Sequence, residues 1–262
     1  MSILNKIIKT KKNEIELSKK INSISDLEKF EQFNRATNSL SKSLLSNNFG
    51  IIAEHKRKSP SKSIINKNSS VKEVVMGYEN AGVSGISILT DKTYFGGSSE
   101  DLVIARKNTF LPILRKEFIV DEYQIFEAKA LGADAILLIA SCLSEEMIKE
   151  FSQCAKKLGL EVLIEIHSLK ELDGCLIDSI DIIGVNNRNL KTFEVDIQTS
   201  KDLANHIPNE FIKISESGIS EKKEILELID YNYRGFLVGE KFMKEKNPGL
   251  EAYNFINNLN KR

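Results

Sequence analysis

Eight short apolar runs, separated by helix-forming stretches, constrain this sequence more than any other feature. They occupy residues 51–53, 85–89, 112–114, 135–139, 162–164, 182–185, 211–214 and 236–238. Lys, Glu, Leu and Ala dominate between them, as over residues 144–158 and 220–229. Runs that are apolar at nearly every position suit strands covered on both faces, as in a parallel sheet. Eight strand-then-helix units in about 210 residues predict an α/β fold, a (β/α)8 TIM barrel. A doubly wound open sheet is the alternative. It would place a site at a strand-order switch, and no dinucleotide fingerprint marks one. No Gly/Ser-rich linker divides the chain, and the rhythm has no fixed period, so it is not a solenoid.

Residues 1–48 read differently. They are polar and helical, with Ile3, Ile7, Ile8, Ile15 and Leu17 forming a broken stripe and further apolar pieces at 24–33 and 40–45. So short a segment has little core of its own. It is expected to be an N-terminal helical extension packed on a barrel formed by residues 49–262, with Phe30 and Phe33 helping to close a pocket.

Composition narrows the function classes. The chain has 37 basic and 37 acidic residues, so its formal net charge is zero, against the basic footprint of most nucleic-acid binders. No stretch approaches the ~18–20 apolar residues of a membrane span. Lysines at 6, 9, 11 and 12 interrupt any signal-peptide core. Cys142, Cys154 and Cys175 are odd in number and widely spaced, without a CxxC or Cys/His cluster. Neither a disulfide scaffold nor a metal site is expected, and the reading is a reduced, cytoplasmic protein.

The polar residues that end the runs carry the functional signal. Strand side chains alternate faces, so residues two apart share a side. On one side stand Ile52-Glu54-Lys56, Leu114-Lys116, Leu163-Glu165-His167, Gly184-Asn186, Ile214-Glu216 and Leu237-Gly239. Each series goes from an apolar residue to a polar or glycine residue at the C-terminal end. A barrel turns these faces into its lumen. Glu54, Lys56, Lys116, Glu165, Asn186 and Glu216 then converge on the mouth where barrel enzymes do their chemistry. His55 has the opposite parity and is expected to face the helices. His167 is read as a loop residue beyond its strand, and Cys142 as a buried small hydrophobe.

The last two strand ends suit an anion. They read Ser215-Glu216-Ser217-Gly218 and Val238-Gly239-Glu240-Lys241. Glycine permits close backbone approach, and a helix start just beyond would aim N–H groups at a phosphate. The loops after strands seven and eight are the recurrent phosphate site of such barrels. Glu240 would then have to point away and offer only its backbone N–H.

These motifs resemble the indole-3-glycerol-phosphate synthase family over nearly the whole chain. The most specific pieces are residues 52–61 (IAEHKRKSPS), 87–97 with its Tyr94-Phe95-Gly96-Gly97, and 112–119 (PILRKEFI). Residues 163–165, 184–190, 215–219 and 235–240 add to them. Glu117 stands where the family commonly has Asp, and Glu240 where it often has Ser, which leaves the phosphate donors open.

The resemblance implies conversion of 1-(2-carboxyphenylamino)-1-deoxyribulose 5-phosphate into indole-3-glycerol phosphate, CO2 and water, without a cofactor. It implies Lys116 as general acid and Glu165 as base or acid partner, with Glu54 a second candidate. Lys56 would hold an anionic group or serve as second acid, and Asn186 and Glu216 would orient the substrate. Phe95 and Phe118 would wall the aromatic ring. Ser59, Arg188, Ser217, Gly218, Leu237, Gly239 and Glu240 complete the expected binding set, and weak association with other tryptophan-pathway enzymes is a further expectation. The nearest rivals are other phosphosugar barrels, such as phosphoribosylanthranilate isomerase or the tryptophan synthase α subunit. A barrel that binds a phosphorylated ligand without turnover is the rival of another class.

Overall fold

The computed structural model describes residues 3–67, 69–190 and 192–261. Three helices come first: α1 (Ile3–Ile21), α2 (Ile24–Leu27) and α3 (Leu40–Ser46). Then follow β1 (Gly50–His55), α4 (Val71–Ala81), β2 (Gly85–Leu89), α5 (Ser99–Asn108), β3 (Ile113–Lys116) and α6 (Tyr123–Leu131). The middle continues with β4 (Ala135–Ile139), α7 (Glu145–Lys157), β5 (Glu161–Ile166), α8 (Leu169–Leu172), β6 (Ile182–Asn186) and α9 (Gln198–Ala204). The chain ends with β7 (Ile212–Glu216), α10 (Lys222–Ile229), β8 (Gly235–Val238), α11 (Glu240–Met243) and α12 (Pro248–Asn260).

Each strand pairs in parallel with the next, and β8 pairs with β1, setting Leu237 opposite Ile52. That last pairing closes the sheet into a (β/α)8 TIM barrel and excludes the open sheet. No helix among the described residues is long and apolar enough to cross a membrane.

Strand alternation produces two cores. Ile51, Ala53, Ile113, Val162, Ile164, Ile183, Val185, Phe236 and Val238 point outward and pack with the helices. Ile52, Leu114, Leu137, Leu163, Ile182, Ile214 and Leu237 point inward and fill the lumen. The helices that cover the sheet begin on side-chain caps. Ser70, Ser98 and Ser144 accept N–H bonds at α4, α5 and α7, each worth about 1 kcal/mol.

The floor of the lumen is made by α3. Leu40 and Leu44 are fully buried and belong to the lumen core. Glycine makes room for them. A Cβ on Gly85 would stand 2.5 Å from Leu40, and one on Gly50 would stand 2.8 Å from Leu44. Polar contacts fix the same helix: Glu161 at the start of β5 accepts from the Ser41 N–H at 2.8 Å and from the hydroxyls of Ser39 and Ser41. At the other rim, α1 buries Ile7, Lys11 and Ile15. The Tyr123 hydroxyl donates to the Ser18 and Asn22 carbonyls, tying α1 to α6.

Candidate active site

Five ionisable side chains meet at the C-terminal mouth, each from the end of a strand. The Lys56 ammonium lies 2.6 Å from Glu54. Lys116, at the end of β3, donates to Glu216 from β7 and lies 3.5 Å from Glu165 of β5. Lumen parity brings them together: the residue two positions deeper in each strand, Ile52, Leu114, Leu163 or Ile214, belongs to the lumen core. The carboxylates are nearly inaccessible, with Glu54, Glu165 and Glu216 at 2–5% exposure.

Burial opposes the charge of Lys116, but Glu216, Glu165 and Glu54 outweigh it and raise its pKa above the ordinary lysine value. Burial also works against Glu54, yet Lys56 and Lys116 hold its carboxyl below the usual range. Glu216 goes the other way. Burial pushes it up to about 7 against the pull of Lys116, with Glu165 and Glu54 adding repulsion. The reason is a charge count. Two lysines face three carboxylates, so one carboxylate is surplus, and the least hydrated one holds a proton most readily.

These groups line a cavity of about 370 Å3, within the range of small-molecule sites. Asn186, Leu237 and Gly239 line it too. On one side stand Phe95 and Phe118, with ring centroids 6.0 Å apart. Their loops are anchored by a buried ion cluster. Asp91 accepts the Phe95 N–H at 3.0 Å, and Glu117 accepts the Phe118 N–H at 2.8 Å. Lys11 of α1 pairs with both carboxylates, at 3.0 and 3.1 Å. Glu117 is therefore a structural anchor, and its other carboxylate oxygen accepts from the Thr90 hydroxyl at 2.8 Å.

Ser59, Arg188, Ser217, Gly218 and Glu240 also line the cavity. Ser217 and Gly218 both have left-handed backbones, at φ 67° and 80°. For Ser217 that conformation is costly and marks a built loop. Arg188 donates its backbone N–H to Asn186 Oδ1 at 3.0 Å, and its guanidinium to the Phe193 carbonyl.

Gly239, which lines the cavity, also makes room for a side chain: a Cβ there would stand 2.4 Å from Glu54 Oε1. Other expectations need correction. Glu240 does not turn away from the pocket. It stays at the rim, where Lys62 donates to it and holds its pKa below the ordinary value despite partial burial. The helix beyond it, α11, is a single turn. Phe30 and Phe33 do not reach the pocket; Phe30 is exposed and Phe33 stacks on Phe126. From the N-terminal segment it is Ile3, Leu4 and Ile7 that line the cavity. Cys142 is half-buried against the lumen core, in the 3-10 turn that follows β4.

His55 faces outward as its parity requires. Buried near Arg57 and Asp101, its imidazole has a pKa pushed down to about 4 by desolvation first and Arg57 second. His167 lies just past β5, yet its ring stands 3.6 Å from Glu165. The parity shared with Glu165 was the sequence signal for that contact. Lys11 and Lys62 carried no such signal, because both act from outside the strands.

Comparison with known proteins adds to this geometry. The family model described as indole-3-glycerol phosphate synthase matches residues 4–255. Indole-3-glycerol phosphate synthase of Bacteroides thetaiotaomicron is 46% identical over 254 residues, covering 97% of both chains. That of Caldanaerobacter subterraneus subsp. tengcongensis is 43% identical over 244 residues, covering 92% of this chain and 93% of its own. Among solved structures, KGPDC from Streptococcus mutans superposes with a TM-score of 0.61 at 13% identity, over 80% of this chain and 96% of that one. A tryptophan synthase complex from Pyrococcus furiosus gives 0.58 at 15% identity, over 80% of this chain and 97% of that one. Such distant likeness carries the barrel and nothing more. The full-length relatives and the family match carry the rest: this chain belongs to the indole-3-glycerol phosphate synthase family.

Proposed function

We propose that this pocket closes the indole ring of 1-(2-carboxyphenylamino)-1-deoxyribulose 5-phosphate, releasing CO2 and water to give indole-3-glycerol phosphate, the tryptophan-pathway reaction of its family. The observation that carries this reading is the single ammonium of Lys116 between Glu165 and Glu216, in a cavity lined by an aromatic wall and by the 217–218 and 239–240 loops.

The reaction asks for these parts in turn. Phe95 and Phe118 hold the anthranilate ring, and the loop backbones with Ser59 and Arg188 hold the phosphate. A ring carbon attacks the ketone, and negative charge grows on the ketone oxygen. Lys116 donates its proton there, which its carboxylate neighbours keep available. The substrate carboxylate leaves as CO2, returning its bonding electrons to the ring. Dehydration then needs a base for a hydrogen on the carbon beside nitrogen and an acid for the departing hydroxyl. Glu165 serves as base, with Glu54 the second candidate. Lys56 serves as the second acid or holds the carboxylate before it is lost. Asn186 and Glu216 orient the sugar hydroxyls and the anilino nitrogen.

An isomerase reading fares worse. It would call for a cysteine–carboxylate acid–base pair, and Cys142 near Glu165 has its thiol pushed up to about 12, by burial first. The test is direct: incubate the purified protein with the carboxyphenylamino-deoxyribulose phosphate and follow indole fluorescence and CO2. Both should rise together, and their absence from a folded sample would sink the reading. We place the protein in the cytoplasm, a setting consistent with its three free cysteines. Weak association with other tryptophan-pathway enzymes is the corresponding proposal for partners, checked by sedimentation of mixtures.

A further inference from the structure

We propose that Asn187 is a positioning residue: from behind the mouth it holds Ser217 in its left-handed conformation and so sets the 217–218 loop for the substrate phosphate. This rests on the reading of that loop as part of the phosphate site.

Asn187 follows the last residue of β6 and has the opposite parity to Asn186. Asn186 lines the cavity and Asn187 does not. At 2% exposure it lies out of the substrate's reach. Its amide is fully used. Nδ2 donates to the Ser215 hydroxyl and to the Ser217 carbonyl, both at 2.9 Å. Oδ1 accepts the Ser200 N–H at 3.1 Å and the Ser200 hydroxyl at 2.8 Å. These partners decide which way the amide points, since a carbonyl only accepts and an N–H only donates. With its proton on Asn187, the Ser200 hydroxyl accepts from Ser215 at 2.8 Å. The Tyr233 hydroxyl closes the group by donating to the Ser200 carbonyl at 2.7 Å. Ser200, Ser215 and Tyr233 are as buried as the asparagine. Every polar atom of the Asn187 side chain is satisfied, which is the condition for a buried network to be rigid.

The loop needs such a support. Ser217 has φ 67°, a region that a residue with a Cβ leaves unless its surroundings hold it. Asn187 holds it twice over: its main-chain N–H donates to the Glu216 carbonyl at 2.9 Å, and its side chain takes the next carbonyl, that of Ser217. The second bond has a directional consequence. The 217–218 peptide is trans and planar, so its C=O and N–H point opposite ways. With the Ser217 carbonyl drawn back onto Asn187, the Gly218 N–H is aimed away from Asn187, on the cavity side. Among the described residues, the Gly218 and Ile219 N–H groups have no acceptor, and both residues line the cavity. They are donors available to an anion. A Ser217 that relaxed to an ordinary conformation would rotate that peptide and take the Gly218 N–H with it.

Inorganic phosphate is the probe, titrated into the full chain by calorimetry and used as a competitive inhibitor. Asn187→Ala removes the support, and the phosphate dissociation constant should rise about tenfold, within the range that one released strained residue supports. KM for the carboxyphenylamino-deoxyribulose phosphate should rise with it, and kcat should change less. Asn187→Asp keeps the side chain's volume but sets an oxygen against the Ser217 carbonyl. It should show the same loss, and it serves should the alanine variant fold poorly. Two further variants separate positioning from general stability. Ser215→Ala breaks the same network but spares the bond to Ser217. It should lower the melting temperature and leave phosphate binding within about twofold. Ser217→Gly makes the left-handed conformation free of strain. In that background Asn187→Ala should weaken phosphate binding by no more than about twofold. Unchanged phosphate binding in both Asn187 variants, an equal loss in Ser215→Ala, or an undiminished loss in the Ser217→Gly background would overturn the proposal. A parent protein that binds no phosphate would overturn the phosphate reading of the loop, and this inference with it.

Discussion

At the scale of single residues, the surplus carboxylate makes Glu216 the most informative group. In the unfolded chain it loses its proton near 4.5, the ordinary glutamate value, and in the fold it keeps the proton until about 7. A folded pKa above the unfolded one means that the contribution to stability is complete below about 4.5 and is lost as pH rises to about 7. Replacing the acid by an amide removes that loss. Glu216→Gln should therefore gain stability relative to the parent at pH 8 and hardly at all at pH 4, by at most roughly 3 kcal/mol. Urea melts of both proteins at the two pH values check it, and parallel pH slopes would contradict the charge count. The same variant keeps Lys116 paired with Glu165, so it should fold. Lys116→Met is the complementary change. It leaves the fold standing but removes the acid that meets the ketone oxygen, and turnover should fall by at least about 10²-fold. A steady-state assay decides, and near-normal turnover would take Lys116 out of the mechanism.

At the scale of elements, the strands deliver carboxylates and also leave holes for them. β6 offers Gly184, where a Cβ would stand 3.0 Å from Glu216 Oε1, and the residue after β8 is Gly239, against Glu54. Gly239→Ala should displace Glu54 from Lys56 while leaving the strand pairing intact. A misplacement near 1 Å costs on the order of 10²-fold in rate, so kcat should drop steeply with a normal melting temperature. Unchanged kcat would show that Glu54 can move without consequence. The inward set itself was legible in the sequence, because period-two alternation is a local rule: Ile52-Glu54-Lys56 and Leu163-Glu165 state their face without reference to the rest of the chain. The reason for Gly239 was not legible. Its crowding comes from Glu54, 185 positions earlier, and no pattern along one strand reports what its neighbour in the barrel needs. The same holds for Phe30 and Phe33. A broken helical stripe says that a segment is half-buried and says nothing about which surface it covers. Lys11 is the sharpest case, a surface-type residue in sequence that ends up 4% exposed among Asp91 and Glu117.

At the scale of the whole molecule, the barrel is a tube with one finished end and one working end, and the N-terminal segment serves both. We infer that residues 1–48 divide into two parts with separable roles. The first, α1, borders the mouth: Ile3, Leu4 and Ile7 line the cavity, and Lys11 fixes the loops that carry Phe95 and Phe118. The second, α3, is the floor, and with it gone Gly50, Gly85 and Gly235 would face an empty lumen. Two truncations should therefore behave differently. Removing residues 1–22 keeps α3 and its bonds to Glu161; the barrel should still melt cooperatively, while KM rises because the aromatic wall loses its anchor. Removing residues 1–46 strips Leu40 and Leu44 from the lumen core. Cutting one such leucine to alanine costs about 3–5 kcal/mol, and domains of ordinary stability have only about 5–15 kcal/mol to lose. The longer truncation should fail to give a cooperative melt, whereas Leu44→Ala alone should fold with a lowered transition and a near-normal KM. Calorimetry with steady-state kinetics on the three proteins distinguishes the roles. If the short truncation keeps its KM, α1 takes no part in the mouth; if the long one melts as the parent does, the lumen needs no floor.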